Sequence, residues 1–475
     1  MAFSLRLVKT LLAAAFLVSS CDAQGAASYT YDSLNRLATV VDNGLPAGHN
    51  TTTYSYDAAG NLVTATYPNG VQSSFTYDNL NRVTAMNAGN ASYNYALGPT
   101  GSRQSAVESS GRTLNWSYDG INRLTNETIN LDPHSNNGAV AYGRDPVGNR
   151  QTQTSSIPGI PNGSFTFDAN DRASTETYDA NGNTLTSGGK TFAYDFQDRL
   201  KAMYSGSVVV TLQYDGDGNR VAKTVNGVTT SYLVDDVNPT GYPQVVAETV
   251  NGVAQRTYTY GLQLISQNQL IGGVWMPSFF IYDGSGNVRM LTDATGKVTD
   301  TYDYDAFGNT IHATGSTPNV YLYRGEQYDP DLGLYYLRAR YFNPATGRFL
   351  TRDPDAGRIR APATLHKYLY ASGDPVNKVD PTGKDTIEYT EGLEVAFKDH
   401  GLAHLIDGGL EISQGNVEAF IEADVRKLLV EWAGAVARGV PFDVEFLLNG
   451  VPWAYRVFIL TDFYLEIPTY FKIIR

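Results

Sequence analysis

Apolar and polar residues alternate in short runs along most of this chain. Ser74–Asp78 reads SFTYD, Thr191–Asp195 reads TFAYD and Thr211–Asp215 reads TLQYD. A period of two predicts a half-buried strand. Each run ends on Asp, whose carboxylate can accept backbone N–H groups two residues on and so opens a turn. Gly or Asn follows where the chain needs a left-handed residue. The strand then resumes as NRLATVV from Asn35, NRVTAM from Asn81 and NRLTNET from Asn122. Each such unit is therefore predicted to be a β-hairpin.

The unit recurs. YDSLNRL starts at Tyr31, YDAAGNL at Tyr56, YDNLNRV at Tyr77, YDGINRL at Tyr118 and YDANGNT at Tyr178. YDFQDRL starts at Tyr194, YDGDGNR at Tyr214, YDGSGNV at Tyr282 and YDAFGNT at Tyr304, with blurred copies at Arg144 and Phe167. One hairpin cannot bury its apolar face alone, so the copies must stack into a continuous sheet.

After Gly383 the pattern changes to a helical period. Glu391 to Asp407 reads as one helix, ended by Gly408-Gly409. Asn416 to Val436 reads as another: Val417, Phe420, Ile421, Val425, Leu428, Leu429, Trp432 and Val436 share one face. FDVEFLL, WAYRVFIL and LEIPTYFKII then read as strands, the first two joined by the Asn449-Gly450 turn.

Composition supports a β-rich repeat: 33 Tyr and 46 Gly in 475 residues, with 17% charged. A net charge of -13 argues against a general nucleic-acid or anionic-membrane binder, which needs clustered Lys and Arg. At the N-terminus Arg6 and Lys9 precede an apolar run, Leu11 to Val18, too short to span a bilayer stably. This is a secretory signal. Cys21, the only cysteine, follows Val18-Ser19-Ser20. VSSC resembles the lipobox of bacterial lipoproteins, with Cys21 as the lipidated residue; ordinary cleavage near Ala23 or Ala27 is the alternative.

Chemistry needs one constellation, and a periodic row of aspartates is structural. Asp215 to Asn219 matches the first ligand positions of a calcium loop but lacks its later Gly and Glu, so no metal is assigned there. Nucleophile-elbow, phosphate-loop, paired-cysteine and dinucleotide motifs are absent. No cofactor is expected.

From Tyr29 to Gly383 the sequence resembles the RHS/YD-repeat family. The most specific stretch is YLYRGEQYDPDLGLYYLRARYFNPATGRFLTRDP, Tyr321–Pro354, which is similar to the RHS-associated core. KYLYASGDPVNKVDPTG, Lys367–Gly383, resembles the end of that core. The resemblance implies a mainly β fold: a sheet of hairpins wound into a complete or partial shell, then a small α+β C-terminal domain. It implies four segments: 1–27, signal and tether; 28–320, YD-repeat shell; 321–384, core; and 385–475, a variable domain that in relatives is often a toxin held inside. The repeat array is shorter than in full family shells.

The resemblance further implies self-cleavage by core aspartates after a final Asp-Pro-x-Gly. The matching residues are Asp353, Asp374 and Asp380, with Arg352 placed to orient a carboxylate, and the cut would fall near Gly383-Lys384. Paired carboxylates suit this work because both cannot ionise easily: one polarises the carbonyl while the other activates water. Lys384 stands where the family has Leu, and DPDAG carries an extra residue before its Gly.

In the last segment His400 and His404 share a helix face, which suits acid–base work. The order of elements resembles that of barnase/EndoU/RelE-like ribonuclease toxins. That implies His404 as acid or base, with His400 beside it, Arg456 stabilising the phosphorane, Thr469 and Tyr470 positioning phosphate, and RNA as target. Fifteen acidic and seven basic residues from Asp385 onward count against an RNA groove.

The chain thus reads as an exported scaffold, a cell-envelope lipoprotein or a secreted protein, that encloses or presents a toxin-like domain with a cognate immunity protein as partner. The other reading is a lipid-anchored surface protein that binds carbohydrate or protein through its repeats.

Overall fold

The computed structural model describes residues 27–355, 357, 362–384 and 386–388, and beyond these the backbone of four strands: Glu394–Phe397, Phe442–Leu448, Val451–Ile459 and Tyr464–Lys472. The expected signal segment, with Cys21, lies outside the described residues.

The repeats form hairpins, as their pattern predicts. Consecutive strands pair antiparallel in chain order to make a thirteen-stranded sheet, from Ala27–Tyr31 to Gly163–Ser164, and a fourteen-stranded sheet, from Thr177–Tyr178 to Thr310–Thr314. The turn chemistry explains each letter of the repeat. In YDNLNR, Oδ1 of Asp78 accepts the N–H groups of Leu80 (2.9 Å) and Arg82 (3.1 Å), and Oδ2 accepts Arg82 Nε at 2.8 Å. Asn81, between them, has φ +59°. Where the repeat reads YDAAGN, Gly60 takes that position at φ +93°, and the Asn61 amide replaces the Arg, 2.9 Å from Asp57 Oδ2. Asp215, of the calcium-like motif, makes the same turn, accepting from Asp217 and Asn219.

The tyrosine joins one repeat to the one before it. Its hydroxyl donates to a backbone carbonyl in the preceding repeat, close after the turn: Tyr56 to Leu37 (2.9 Å), Tyr77 to Leu62 (2.9 Å), Tyr214 to Leu200 (2.8 Å) and Tyr304 to Val288 (2.8 Å). The residue after the left-handed position reaches forward: Arg36 lies over the Tyr56 ring, and Asn183 Nδ2 donates to Asp198 at 2.7 Å.

One apolar cluster joins both sheets to the segment that follows them, and a smaller one packs Phe192, Leu200 and Val210 of the second sheet against Leu334 and Tyr341 of that segment. Polar cross-links join the sheets. Asp42 accepts from Thr259 (2.7 Å) and Ser266 (3.2 Å), Arg103 donates to the Gly284 carbonyl at 2.6 Å, and Glu127 accepts the Ala306 N–H at 2.8 Å. A cavity of about 50 Å³ lies among Glu108, Arg112, Glu127, Arg289 and Arg324. That is room for a few waters.

Residues 321–384 act as a plug. Tyr335 donates to Gly308 (3.0 Å) and Tyr368 to Gly182 (2.7 Å). Arg348 donates to Asn149 (2.8 Å), and Arg220 of the second sheet binds Gln327 (2.6 Å) and Asp329 (3.2 Å).

Beyond the plug, the three predicted strands occur as Phe442–Leu448, Val451–Ile459 and Tyr464–Lys472, paired antiparallel. The predicted helix over 391–407 is corrected in part: Glu394–Phe397 is a strand, parallel to Tyr464–Lys472. Its four residues, EVAF, include a β-branched and an aromatic residue, and the open edge of Tyr464–Lys472 satisfies their backbone, which outweighs weak helical periodicity over one turn. The rest of that expected helix, and the one over 416–436, lie outside the described residues.

Candidate functional site

The site is built where the plug's central hairpin meets the chain's exit from the plug. Leu334–Leu337 pairs with Arg340–Asn343, which pairs with Arg348–Phe349. LYYLRARYF is apolar except for Arg338 and Arg340, so each guanidinium must find partners inside the fold. Arg338 takes Glu326 (3.0 Å) and the Pro381 carbonyl. Arg340 takes two carboxylates at once: Asp353 Oδ2 at 2.9 Å and Asp380 Oδ2 at 3.2 Å. Its Nε donates to the Gly383 carbonyl, and its face lies 3.7 Å from the Phe349 ring centroid.

Gly383 is buried with φ +69°. A Cβ there would collide with the Leu337 carbonyl oxygen and lie 2.9 Å from Arg340 N, so only glycine fits under the hairpin. Thr382 accepts the Ala339 N–H at 3.1 Å, which fixes the strand's exit, and Lys384 then emerges exposed.

Of the predicted cleavage residues, the structure brings Asp353 and Asp380 together on Arg340, whose Nε holds the carbonyl of the Gly383-Lys384 bond. Burial pushes the Asp353 carboxyl up, opposed by Arg340. Asp374 stands apart from this pair: both its oxygens accept from the Asn377 amide at 3.0 Å, and burial pushes it up as well. Arg352 is exposed. The guanidinium between the carboxylates belongs to Arg340, which the sequence pattern did not single out. The available signal was a charge inside an otherwise apolar strand.

In the last segment Arg456 and Thr469 are cross-strand partners, and Tyr455 pairs with Tyr470. His400 and His404 lie outside the described residues.

The repeat sheets, the plug and its Asp-Pro-x-Gly exit define a class. The teneurin YD-shell family profile matches residues 100–376, and the RHS repeat profile matches residues 45–72 and 56–92. The chain belongs to this RHS/YD-repeat family. It is similar to the tRNA nuclease WapA of Bacillus subtilis, 37% identical over 380 residues that cover 76% of this chain and 16% of that protein. Double-stranded DNA deaminase toxin A of Burkholderia cenocepacia is 27% identical over 222 residues, 40% of this chain and 15% of that one. Among solved structures, the TcdB2-TccC3-Cdc42 crystal structure has a TM-score of 0.61 at 18% identity, covering 75% of this chain and 20% of that one. The Tc holotoxin pore of Photorhabdus luminescens gives 0.58 at the same identity, covering 75% of this chain and 21% of that one. These two show the shared fold.

Proposed function

We propose that the protein is an exported YD-repeat scaffold that presents a C-terminal toxin-like segment and releases it by cutting itself at Gly383-Lys384. The observation that carries the reading is Arg340, held between Asp353 and Asp380 and bonded to the carbonyl of that peptide bond. Similarity to relatives named as a tRNA nuclease and a DNA deaminase toxin supports the cargo half of the reading and does not favour the adhesion alternative.

In this reading Arg340 polarises the Gly383 carbonyl and stabilises its developing negative charge. Asp353, less buried than Asp380, is the base: its side chain is 14% exposed, against 1% for Asp380. Water attacks the Gly383 carbon and gives a proton to Asp353. The C–N bond then breaks, and the Lys384 amine takes that proton back. Asp380 holds Arg340 in place. Export, lipidation at Cys21, an immunity partner and an RNA target for the released segment belong to the same proposal.

Intact-mass measurement on purified full-length protein tests it. We expect a fragment beginning at Lys384 from the wild type and an uncut chain from Asp353→Asn. A folded wild-type chain that stays whole would defeat the cleavage reading. Expression of residues 384–475 inside bacteria should arrest growth, with relief by His404→Ala.

A further inference from the structure

Away from the plug's exit, a second cluster joins the two large sheets. Asp132 and His134 lie in the loop after Leu124–Asn130 of the first sheet. Asp303 and His312 are cross-strand partners on the last two strands of the second. His134 Nδ1 is 3.3 Å from Asp303 Oδ2 and 3.6 Å from Asp132 Oδ1, and the donor atoms of the three residues all lie within 4.8 Å of one another. Zinc bound tetrahedrally at about 2.0–2.2 Å separates its ligands by roughly 3.4 Å.

Three further observations point to a cation. The first is charge. Ion pairs link Arg112 and Arg289 with Glu108, Asp132, Asp283 and Asp303. Four carboxylates against two guanidiniums leave two formal negative charges in a largely buried cluster, the deficit that one divalent ion removes. The second is unmet bonding capacity. Asp132 is 6% exposed: its Oδ1 accepts the His134 N–H at 2.7 Å, and its buried Oδ2 has no hydrogen-bond partner, with Arg112 Nε 3.7 Å away. Nε2 of His312 is also buried without one, in a ring stacked 3.6 Å from that of His134. The third is preparation of the ligands. Arg289 (2.5 Å) and Arg112 (3.3 Å) both take Asp303 Oδ1, leaving Oδ2 to face His134. Such supporting bonds orient carboxylate ligands. His134 is exposed, so an ion can enter and keep water on an open position.

We propose that Asp132, His134 and Asp303 bind a divalent transition-metal cation, with zinc as the best fit to a nitrogen and two carboxylates, and that it clasps the first sheet to the second. This site is independent of the self-cleavage reading.

The test uses full-length protein carrying Cys21→Ser, His400→Ala and His404→Ala, which removes the thiol and the paired histidines as competing zinc donors. Chelator-treated protein is titrated with zinc by calorimetry, and bound metal is counted by mass spectrometry. We expect one zinc per chain, a raised Tm, and slower amide exchange in residues 131–137 and 310–314. His134→Gln and, separately, Asp132→Asn should each weaken binding about tenfold or more while circular dichroism stays unchanged. Absence of saturable binding, or zinc affinity unchanged in both variants, would overturn the proposal.

Discussion

At the residue scale, the repeat's tyrosine is a tie between neighbours. Tyr214 Oη donates to the Leu200 carbonyl from a partly buried position, and desolvation pushes its ionisation well above the ordinary range. Tyr214→Phe deletes the bond and strands a carbonyl; the expected cost is about 1–2 kcal/mol in urea unfolding. Tyr31 ends the Ala27–Tyr31 strand and is half exposed, so Tyr31→Phe should cost far less. Glycines divide in a similar way. Gly111 has φ +88° with open space where a Cβ would sit, whereas Gly308 has φ +87° and its Cβ would lie 2.6 Å from the Tyr323 ring. Alanine at Gly111 should cost the left-handed strain alone, roughly 1 kcal/mol. At Gly308 it must also displace a packed ring, for roughly 3 kcal/mol or more. Thermal unfolding of the two variants checks the difference. Much at this scale was legible beforehand, because Asp, Asn and Gly act on the backbone within a few residues. The partner of the tyrosine hydroxyl was not: its acceptor lies a whole repeat earlier and is a backbone atom without a sequence signature.

At the scale of the element, the hairpin turn of each Tyr-Asp repeat is closed by a carboxylate that accepts several N–H groups, while turns such as Asn226-Gly227 and Gly272-Gly273 use left-handed residues alone. Arg82's hydrogen bond holds the Asp78 carboxyl below its ordinary value, and Thr295's does the same for Asp293. A folded value below the unfolded one means that these turns contribute stability above about pH 4, lost as pH falls through the depressed folded values. Amide exchange at the turns should therefore accelerate below about pH 4, before the apolar strands open. Uniform protection down to lower pH would contradict this. Strand positions followed from alternation alone. The helix expected from Glu391 did not hold over Glu394–Phe397, because parallel pairing with a strand some seventy residues later is a tertiary event that no local period reports.

At the scale of the whole molecule, hairpins and plug share aromatic interiors, and this sets an alkaline limit. Burial pushes Tyr56 up to about 12, and several deeper tyrosines, including Tyr258, Tyr282 and Tyr335, rise well above the ordinary value. In the unfolded chain they ionise near pH 10. Above that pH the unfolded state has lost protons that the folded state keeps, so stability present below about pH 10 declines as pH climbs. Phenolate absorbance should rise in one step together with loss of circular dichroism. Gradual ionisation in a chain that stays folded would show that the tyrosines are not packed.

The candidate cleavage site also belongs to this scale. Asp353 and Asp380 were visible as Asp-Pro turns, but Arg340 was not. A guanidinium contributed by one hairpin, one carboxylate after it and another at the plug's exit converge only when the plug closes.

By itself the sequence determined what short-range physics controls: strands from alternation, turns from Asp with Gly or Asn, and repetition that forces stacking. Only the tertiary structure decided which residues of the two sheets and the plug pack into shared clusters, and that Arg340 clamps the carbonyl of Gly383. Those outcomes depend on burial of charges and rings far apart in the chain, where each group's partner is set by packing and not by its neighbours in sequence.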